Sequence, residues 1–183
     1  ANDYIIKKGD AIDTKAIVAK LGLPVFVKPS NSGSSFGVTK VKREEDLPAA
    51  VEEAYSEDGV VIIEEAIEGR EMACGIYITS KAEHFLPVTE IISNNEFFDF
   101  EAKYNGASRE VTPAEISEEV RAKLEKFTLM VYRVLRCYGL VRVDYIVRDG
   151  EPYFIEINTV PGMSGASIVP QQLMHAKITV NEM

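Results

Sequence analysis

Asp144, Glu156 and Asn158 are the residues whose types and spacing bear most directly on chemistry. Glu156 and Asn158 are two apart in a strand-like run, so their side chains point to one face. That face is polar within a stretch otherwise built of Tyr153, Phe154, Ile155 and Ile157. Asp144 lies on the preceding strand-like run with Arg142 on the same face, and a turn carrying one bulged residue sets Asp144 opposite Glu156. Two carboxylates and an amide oxygen, without Cys or His, suit a hard cation such as Mg²⁺, which bridges phosphate oxygens and offsets their charge. A solvent-facing sheet edge has the same alternation. Asn158 then leads into Thr159-Val160-Pro161-Gly162-Met163-Ser164-Gly165-Ala166-Ser167. Glycines let a backbone approach a ligand and present N–H groups, which is what an oxyanion requires. Ordinary surface loops share this composition.

Two further segments could meet a nucleotide. Lys28 ends an apolar strand and precedes Pro29-Ser30-Asn31-Ser32-Gly33-Ser34-Ser35-Phe36-Gly37. A lysine leaving a buried strand beside such a loop can pair with phosphate while loop N–H groups cover it. It is not a Walker A loop, because the lysine precedes the glycines, and a hairpin tip is the plainer alternative. Glu64-Glu65-Ala66-Ile67 follows an apolar strand at a lobe boundary, where extended backbone could read an adenine edge while Ile155 or Phe97 supplies an apolar face. Glu71 lies just beyond, spaced to meet a ribose or a substrate. For Glu68 and Glu71 a solvated strand face is the simple alternative.

These segments need elements to position them. Capping, punctuation and periodicity predict a helix from Asp13 to Leu21, a strand at Val25-Phe26-Val27 and a second strand from Gly37 to Val41. A helix from Glu44 to Ser56 and a strand at Val60 to Ile63 follow. Arg70 to Ile92 is strand-like with a turn at Thr79-Ser80-Lys81, and most of Phe97 to Thr112 reads as a long functional loop. Ser117 to Cys137 is one amphipathic helix stopped by Gly139. Leu140 to Val147 and Pro152 to Asn158 are strands joined by Arg148-Asp149-Gly150. The mixture predicts two α+β lobes with strands from both facing a cleft.

Composition narrows the partners. Hydrophobic residues make up 46% and charged residues 27% of the 183, ordinary for a globular chain. No run approaches the roughly 18–20 apolar residues that span a bilayer, and no signal peptide opens the chain. Its start reads like the middle of a longer polypeptide. Lys and Arg total 20 against 29 Asp and Glu, a formal charge of −9, which argues against nucleic acid or an anionic membrane as the main partner. Cys74 and Cys137 fit no metal or redox spacing and read as reduced thiols of a cytosolic protein.

Together, Lys28-Pro-Ser-Asn-Ser-Gly-Ser-Ser-Phe-Gly-Val38, Glu101-Ala-Lys-Tyr104 and Glu156-Ile-Asn-Thr-Val-Pro-Gly-Met163, the last following Arg142-Val143-Asp144 and followed by Ser167, resemble the ATP-grasp superfamily. More closely they resemble the D-alanine–D-alanine ligases. The resemblance runs from about Leu23 to Pro170, and Gln171 to Met183 matches poorly, so the closing helix is expected to be short or altered. It implies an α+β ATP-grasp fold with the nucleotide cleft between lobes at 1–65 and 66–183. It implies cytoplasmic synthesis of D-alanyl-D-alanine for peptidoglycan precursors, through an acyl phosphate made from ATP. Asp144, Glu156 and Asn158 resemble ligands of two Mg²⁺ ions, with Mn²⁺ as a substitute. Lys28 and Lys103 resemble phosphate-binding lysines. Glu64, Glu65, Ile67 and Glu71 resemble the adenosine-binding segment, Glu65 and Ile67 through backbone. Arg142 and the N–H of Gly162 resemble the oxyanion stabilisers, and Ser167 the group that holds the second D-alanine's carboxylate. Ser34, Glu71 and Tyr104 match a hydrogen-bonded triad of the family, and Tyr104 favours D-alanine over D-lactate as second substrate. The family's N-terminal domain, with its orienting glutamate and a further phosphate-binding lysine, is absent. Its presence as a partner and a homodimeric parent are also implied. Another ATP-grasp carboxylate–amine ligase and a nucleotide-binding fragment without catalysis are the rival expectations.

Overall fold

The computed structural model describes residues 1–31, 36–93 and 108–179. The chain divides into two compact units, with the division between Ile67 and Glu68.

The first unit is a four-stranded antiparallel sheet in the order β1-β4-β2-β3, built from β1 (Asp3–Lys7), β2 (Val25–Pro29), β3 (Thr39–Val41) and β4 (Val60–Glu65). Helices α1 (Thr14–Leu21) and α2 (Leu47–Tyr55) pack on one face, where Ile17, Val25, Val27, Leu47, Val51, Val61 and Ile63 form the core. Strand β2 alternates strictly, with Val25, Val27 and Pro29 buried and Phe26 and Lys28 turned to the other face. The Asp13 carboxylate accepts the Ala16 N–H at 3.0 Å and so starts α1. The helix expected over Glu44 to Ser56 is instead a 3₁₀ turn, Glu44–Asp46, followed by α2. Pro48 explains the change, since a residue without an N–H is tolerated only in the first turn. Strand β1 was not expected; it pairs with β4 from Asp3↔Glu64 to Lys7↔Val60.

The second unit holds β5 (Arg70–Ile78), β6 (Glu83–Phe85), β7 (Thr89–Ser93), β8 (Ser108–Val111), α3 (Glu118–Val134), β9 (Leu140–Arg148), β10 (Glu151–Asn158) and α4 (Ile168–Ala176). Its strands are antiparallel in the order β10-β9-β5-β7-β8, with β6 also beside β5. Met72, Cys74, Ile76, Val141, Val143, Tyr145 and Val147 face α3, which contributes Leu124, Thr128 and Tyr132. Ser117 caps α3, and the helix ends at Val134, earlier than Cys137. Arg136 at φ 52° and Gly139 at φ 67° turn the chain out of it. Ser108–Val111, expected within a loop, is an edge strand; Ser-Arg-Glu-Val carries no apolar alternation to announce it. The closing helix α4 has nine residues.

Strands β6 and β7 lie on the same side of β5, interrupted at Leu86-Pro87-Val88. The wholly buried Gln172 of α4 fills this gap, its Nε2 donating to the Ala73 carbonyl at 2.9 Å and to Thr89 Oγ1 at 3.2 Å. A side-chain amide thus bonds a strand carbonyl where Pro87 interrupts the run, in accord with the need to pair buried backbone groups.

Candidate functional site

The turn between β9 and β10 is Asp149-Gly150, with φ of 53° and 77° at the two positions. Positive φ at both central residues matches strand twist and holds the hairpin tightly. Register then runs from Arg148↔Glu151 to Tyr145↔Phe154, shifts by one residue, and continues as Asp144↔Glu156 and Arg142↔Asn158. The bulge at Ile155 is the irregularity needed to set Asp144 opposite Glu156. On the other side β5 pairs as Glu71↔Ile146, Ala73↔Asp144 and Gly75↔Arg142. Glu71, Arg142, Asp144, Glu156 and Asn158 therefore share the face opposite α3. Strand β10 is the sheet's edge, so Glu156 is exposed and Asn158 half-buried, while Asp144 is buried.

Arg142 grips Asp144 with both arms of a fork, Nε to Oδ1 and Nη2 to Oδ2, each at 2.8 Å. Asn158 Nδ2 donates to Asp144 Oδ2 at 3.1 Å. Burial works against the guanidinium charge, but the hydrogen bonds and charge of Asp144, joined by Glu156 and Glu71, outweigh it and hold Arg142 above its ordinary value. Among the described residues, one guanidinium thus stands with three carboxylates on this face. Among the described residues no three His, Cys, Asp or Glu side chains gather as a ready metal cage. The donor set fits a hard cation whose shell is completed by phosphate oxygens and water.

Beyond Asn158, Ser164 and Ser167 share a 2.8 Å hydroxyl contact, and the Ser167 N–H donates to the Ser164 carbonyl at 2.9 Å. A Cβ on Gly162 would lie 2.8 Å from Ser167 Oγ, so a larger residue there would push the serine hydroxyl from its place. Gly162 and Ser167 are thus neighbours, with Ser167 at the N-cap of α4.

In the first unit, Lys28 Nζ meets Glu64 Oε2 at 2.7 Å on the sheet face away from the helices. Glu65 turns its carboxylate to Asn2, accepting its backbone N–H at 2.9 Å and its Nδ2 at 3.2 Å. Ile67 is buried. Ile155 is half-buried at the bulge. Ser34, Phe97, Lys103 and Tyr104 lie outside the described residues. Motif reading passed over Asp58, which accepts the Asn31 N–H at 2.8 Å and the Val60 N–H at 3.3 Å and so ties down the stem of the Lys28 segment. Its signal was the Asp-Gly pair after a helix, which is common to many turns.

The fold defines the class of protein: two antiparallel α+β units of the kind found in ATP-grasp enzymes. The D-ala D-ala ligase C-terminus family model matches residues 4–183, and the chain belongs to that family. The match reaches past both limits of Leu23 and Pro170, and so includes Gln171 to Met183. The D-alanine–D-alanine ligase of Christiangramia forsetii is 50% identical over 184 residues, covering 100% of this chain and 56% of its own length. That of Flavobacterium johnsoniae is 48% identical, with 100% and 57% covered. Among solved structures, the Bacillus anthracis D-alanine–D-alanine ligase complexed with ATP superposes with a TM-score of 0.81 at 30% identity, over 99% of this chain and 56% of its own. The chain spans little more than half the length of these relatives. None of its described helices is long and apolar enough to cross a membrane.

Proposed function

We propose that this chain carries the nucleotide-, metal- and acceptor-binding parts of a cytoplasmic ligase that joins two D-alanine molecules for peptidoglycan precursors. Residues 1–65 act as the central lobe, with the Gly/Ser segment over the phosphates, and residues 66–183 as the C-terminal lobe. A preceding domain, which the longer relatives have room for, orients the first D-alanine, and the whole protein is a homodimer. Lys28 and Lys103 bind ATP phosphates. Glu64, the backbone of Glu65 and Ile67, and Glu71 hold the adenosine, with Phe97 and Ile155 against its base. Asp144, Glu156 and Asn158 would hold two Mg²⁺ or Mn²⁺ ions. When bound, the ions offset phosphate charge as the first carboxylate becomes an acyl phosphate. Arg142 and the Gly162 N–H donate to the oxyanion that forms when the second amine attacks, and Ser167 holds that substrate's carboxylate. Ser34, Glu71 and Tyr104 link the segments that exclude water from the acyl phosphate.

The observation that carries this reading is the shared face of Arg142, Asp144, Glu156 and Asn158, two carboxylates and an amide beside a fixed guanidinium. Calorimetry with a non-hydrolysable ATP analogue tests it. Glu156→Gln should weaken analogue binding at least tenfold in Mg²⁺ and little in EDTA. Equal losses in both would mean that Glu156 does not act through metal. ADP release and dipeptide formation, followed separately with D-alanine, then test the reaction itself; ADP release without dipeptide indicates an acyl phosphate lost to water.

A further inference from the structure

The two oxygens of Asp144 that a cation would need are the two that Arg142 occupies, Nε on Oδ1 and Nη2 on Oδ2, each at 2.8 Å. A guanidinium matches a carboxylate in this paired fashion better than any other side chain, so the contact is the strong form of the ion pair. Both side chains are largely withdrawn from water, at 17% and 6% exposure, so little solvent screens what either one feels. A divalent cation on Asp144 would stand within a few ångströms of the guanidinium, where like charges repel most strongly. The fork and a cation on the same carboxylate are therefore competing arrangements. The strand geometry makes the exchange local. Arg142 and Asp144 are two residues apart on β9 and so project side by side from one face. No backbone rearrangement is needed for the long arginine side chain to leave its neighbour.

We propose that Arg142 is the exchangeable counter-ion of the metal site: Asp144 is held by the guanidinium when no cation is present, and passing Asp144 to a cation releases the Nε–H and Nη2–H donors for the substrate's reacting oxygen. The proposal rests on the metal assignment made above and adds to it. Arg142 is a stabiliser of the reacting oxygen only once the site is loaded, so donor availability and metal occupancy form one equilibrium. It also predicts weak binding of a cation without nucleotide, because the cation must first displace two charge-assisted hydrogen bonds. Glu156, on the neighbouring strand, lies outside this fork, while Asn158 reaches Asp144 Oδ2 through its Nδ2 at 3.1 Å, so that its Oδ1 is the atom it would turn to a cation.

The fork can be watched without turnover. In the ¹⁵N-arginine-labelled chain, with the Arg142 Nε–H signal assigned through Arg142→Lys, that proton should be protected from solvent exchange in the free chain. It should stay protected with the non-hydrolysable ATP analogue in EDTA. Adding Mg²⁺ to the analogue-bound chain should lower protection at least tenfold. Unchanged protection at saturating Mg²⁺ and analogue overturns the proposal. Mn²⁺ alone, titrated by electron paramagnetic resonance, supplies a second reading. Arg142→Lys keeps the charge but cannot cover both oxygens, so Mn²⁺ should bind it at least threefold more tightly than the unaltered chain; equal or weaker binding overturns the proposal. If the lysine variant does not fold, the Nε–H signal is assigned by through-bond correlation to the Arg142 backbone in the doubly labelled unaltered chain, and the exchange measurement still decides the matter. Analogue affinity that is the same in Mg²⁺ and EDTA overturns the metal assignment and this proposal together. Metal-dependent affinity with a protected Arg142 overturns this proposal alone.

Discussion

Each unit of the chain pairs a cation with a carboxylate at residues assigned to ligand binding, and the two pairs are built differently. Lys28 and Glu64 come from adjacent strands, meet through one contact of 2.7 Å, and keep 24% and 29% of their side chains exposed. Arg142 and Asp144 come from one strand, meet through two contacts of 2.8 Å, and keep 17% and 6%. Asn158 adds a third hydrogen bond to Asp144. The lysine pair is a solvated arrangement that its flexible stem can abandon for a phosphate with little loss. The arginine pair has been taken out of water, so each partner depends on the other, and only a comparable charge can replace one of them. Position along the strand differs: Lys28 and Glu64 lie near the ends of β2 and β4, whereas Asp144 lies midway along β9.

The contrast is broken most directly by removing one partner. Arg142→Met takes the two-armed guanidinium from the buried Asp144, and should cost about 3–5 kcal/mol in the second unit. Urea unfolding in EDTA measures this, and added Mg²⁺ with the ATP analogue should restore part of the loss. If Lys28→Met costs as much as Arg142→Met, the two pairs do not differ as described.

Gln172 sharpens the picture of the second unit as the more tightly specified. Gln172→Leu leaves the Ala73 carbonyl short of a donor beneath α4, while the Thr89 hydroxyl keeps Thr112 Oγ1 at 2.6 Å, at a cost of about 1–3 kcal/mol. A loss below about 0.5 kcal/mol, within the range of ordinary surface substitutions, would mean that the amide does not mend the sheet at Pro87. In the first unit the corresponding anchor is Asp58 and not the lysine pair. Asp58→Ala should cost about 1–2 kcal/mol through the two backbone N–H groups it accepts, more than Lys28→Met. The reverse order would make Lys28–Glu64 the structural contact.

How much of this could be read from residues alone depended on whether a local rule was in force. The β9–β10 hairpin was legible, including its bulge, because Asp149-Gly150 specifies the turn and two-residue periodicity specifies the face. The family was legible from three short motifs, and its model matches residues 4–183. Strand β8 was not legible, because Ser108-Arg109-Glu110-Val111 is held by pairing with β7 and not by its own pattern. Strand β1 likewise depends on β4, with Ile6 buried and Ile5 exposed. Asp58 and Gln172 were passed over because each acts on backbone groups 27 and 99 residues away in sequence. The fork itself was half visible: spacing put Arg142 and Asp144 on one face, but that they would bond each other, and so compete with a cation, is a matter of side-chain geometry.

The smallest expected effect is the most discriminating, since it asks whether a change in one unit is felt in the other. Cys74 is buried against α3, and burial pushes its thiol far above the ordinary range, with the Thr128 hydroxyl opposing it only in part. Thiolate is the nucleophile, so Cys74 reacts with an alkylating reagent only when the second unit opens. The chain's other cysteine, Cys137, is half-buried in the same unit and should react first. The slow phase of labelling therefore reports on the second unit alone. Arg142→Met, which frees about 3–5 kcal/mol of opening cost, should speed that phase a hundredfold or more. Lys28→Met should leave it within about twofold, because the solvated pair it removes contributes at most about 1 kcal/mol and lies in the other unit. A Lys28→Met chain whose Cys74 labels tenfold faster would show that the lysine pair supports the second unit, and the division of labour between an exchangeable pair and a committed one would fall.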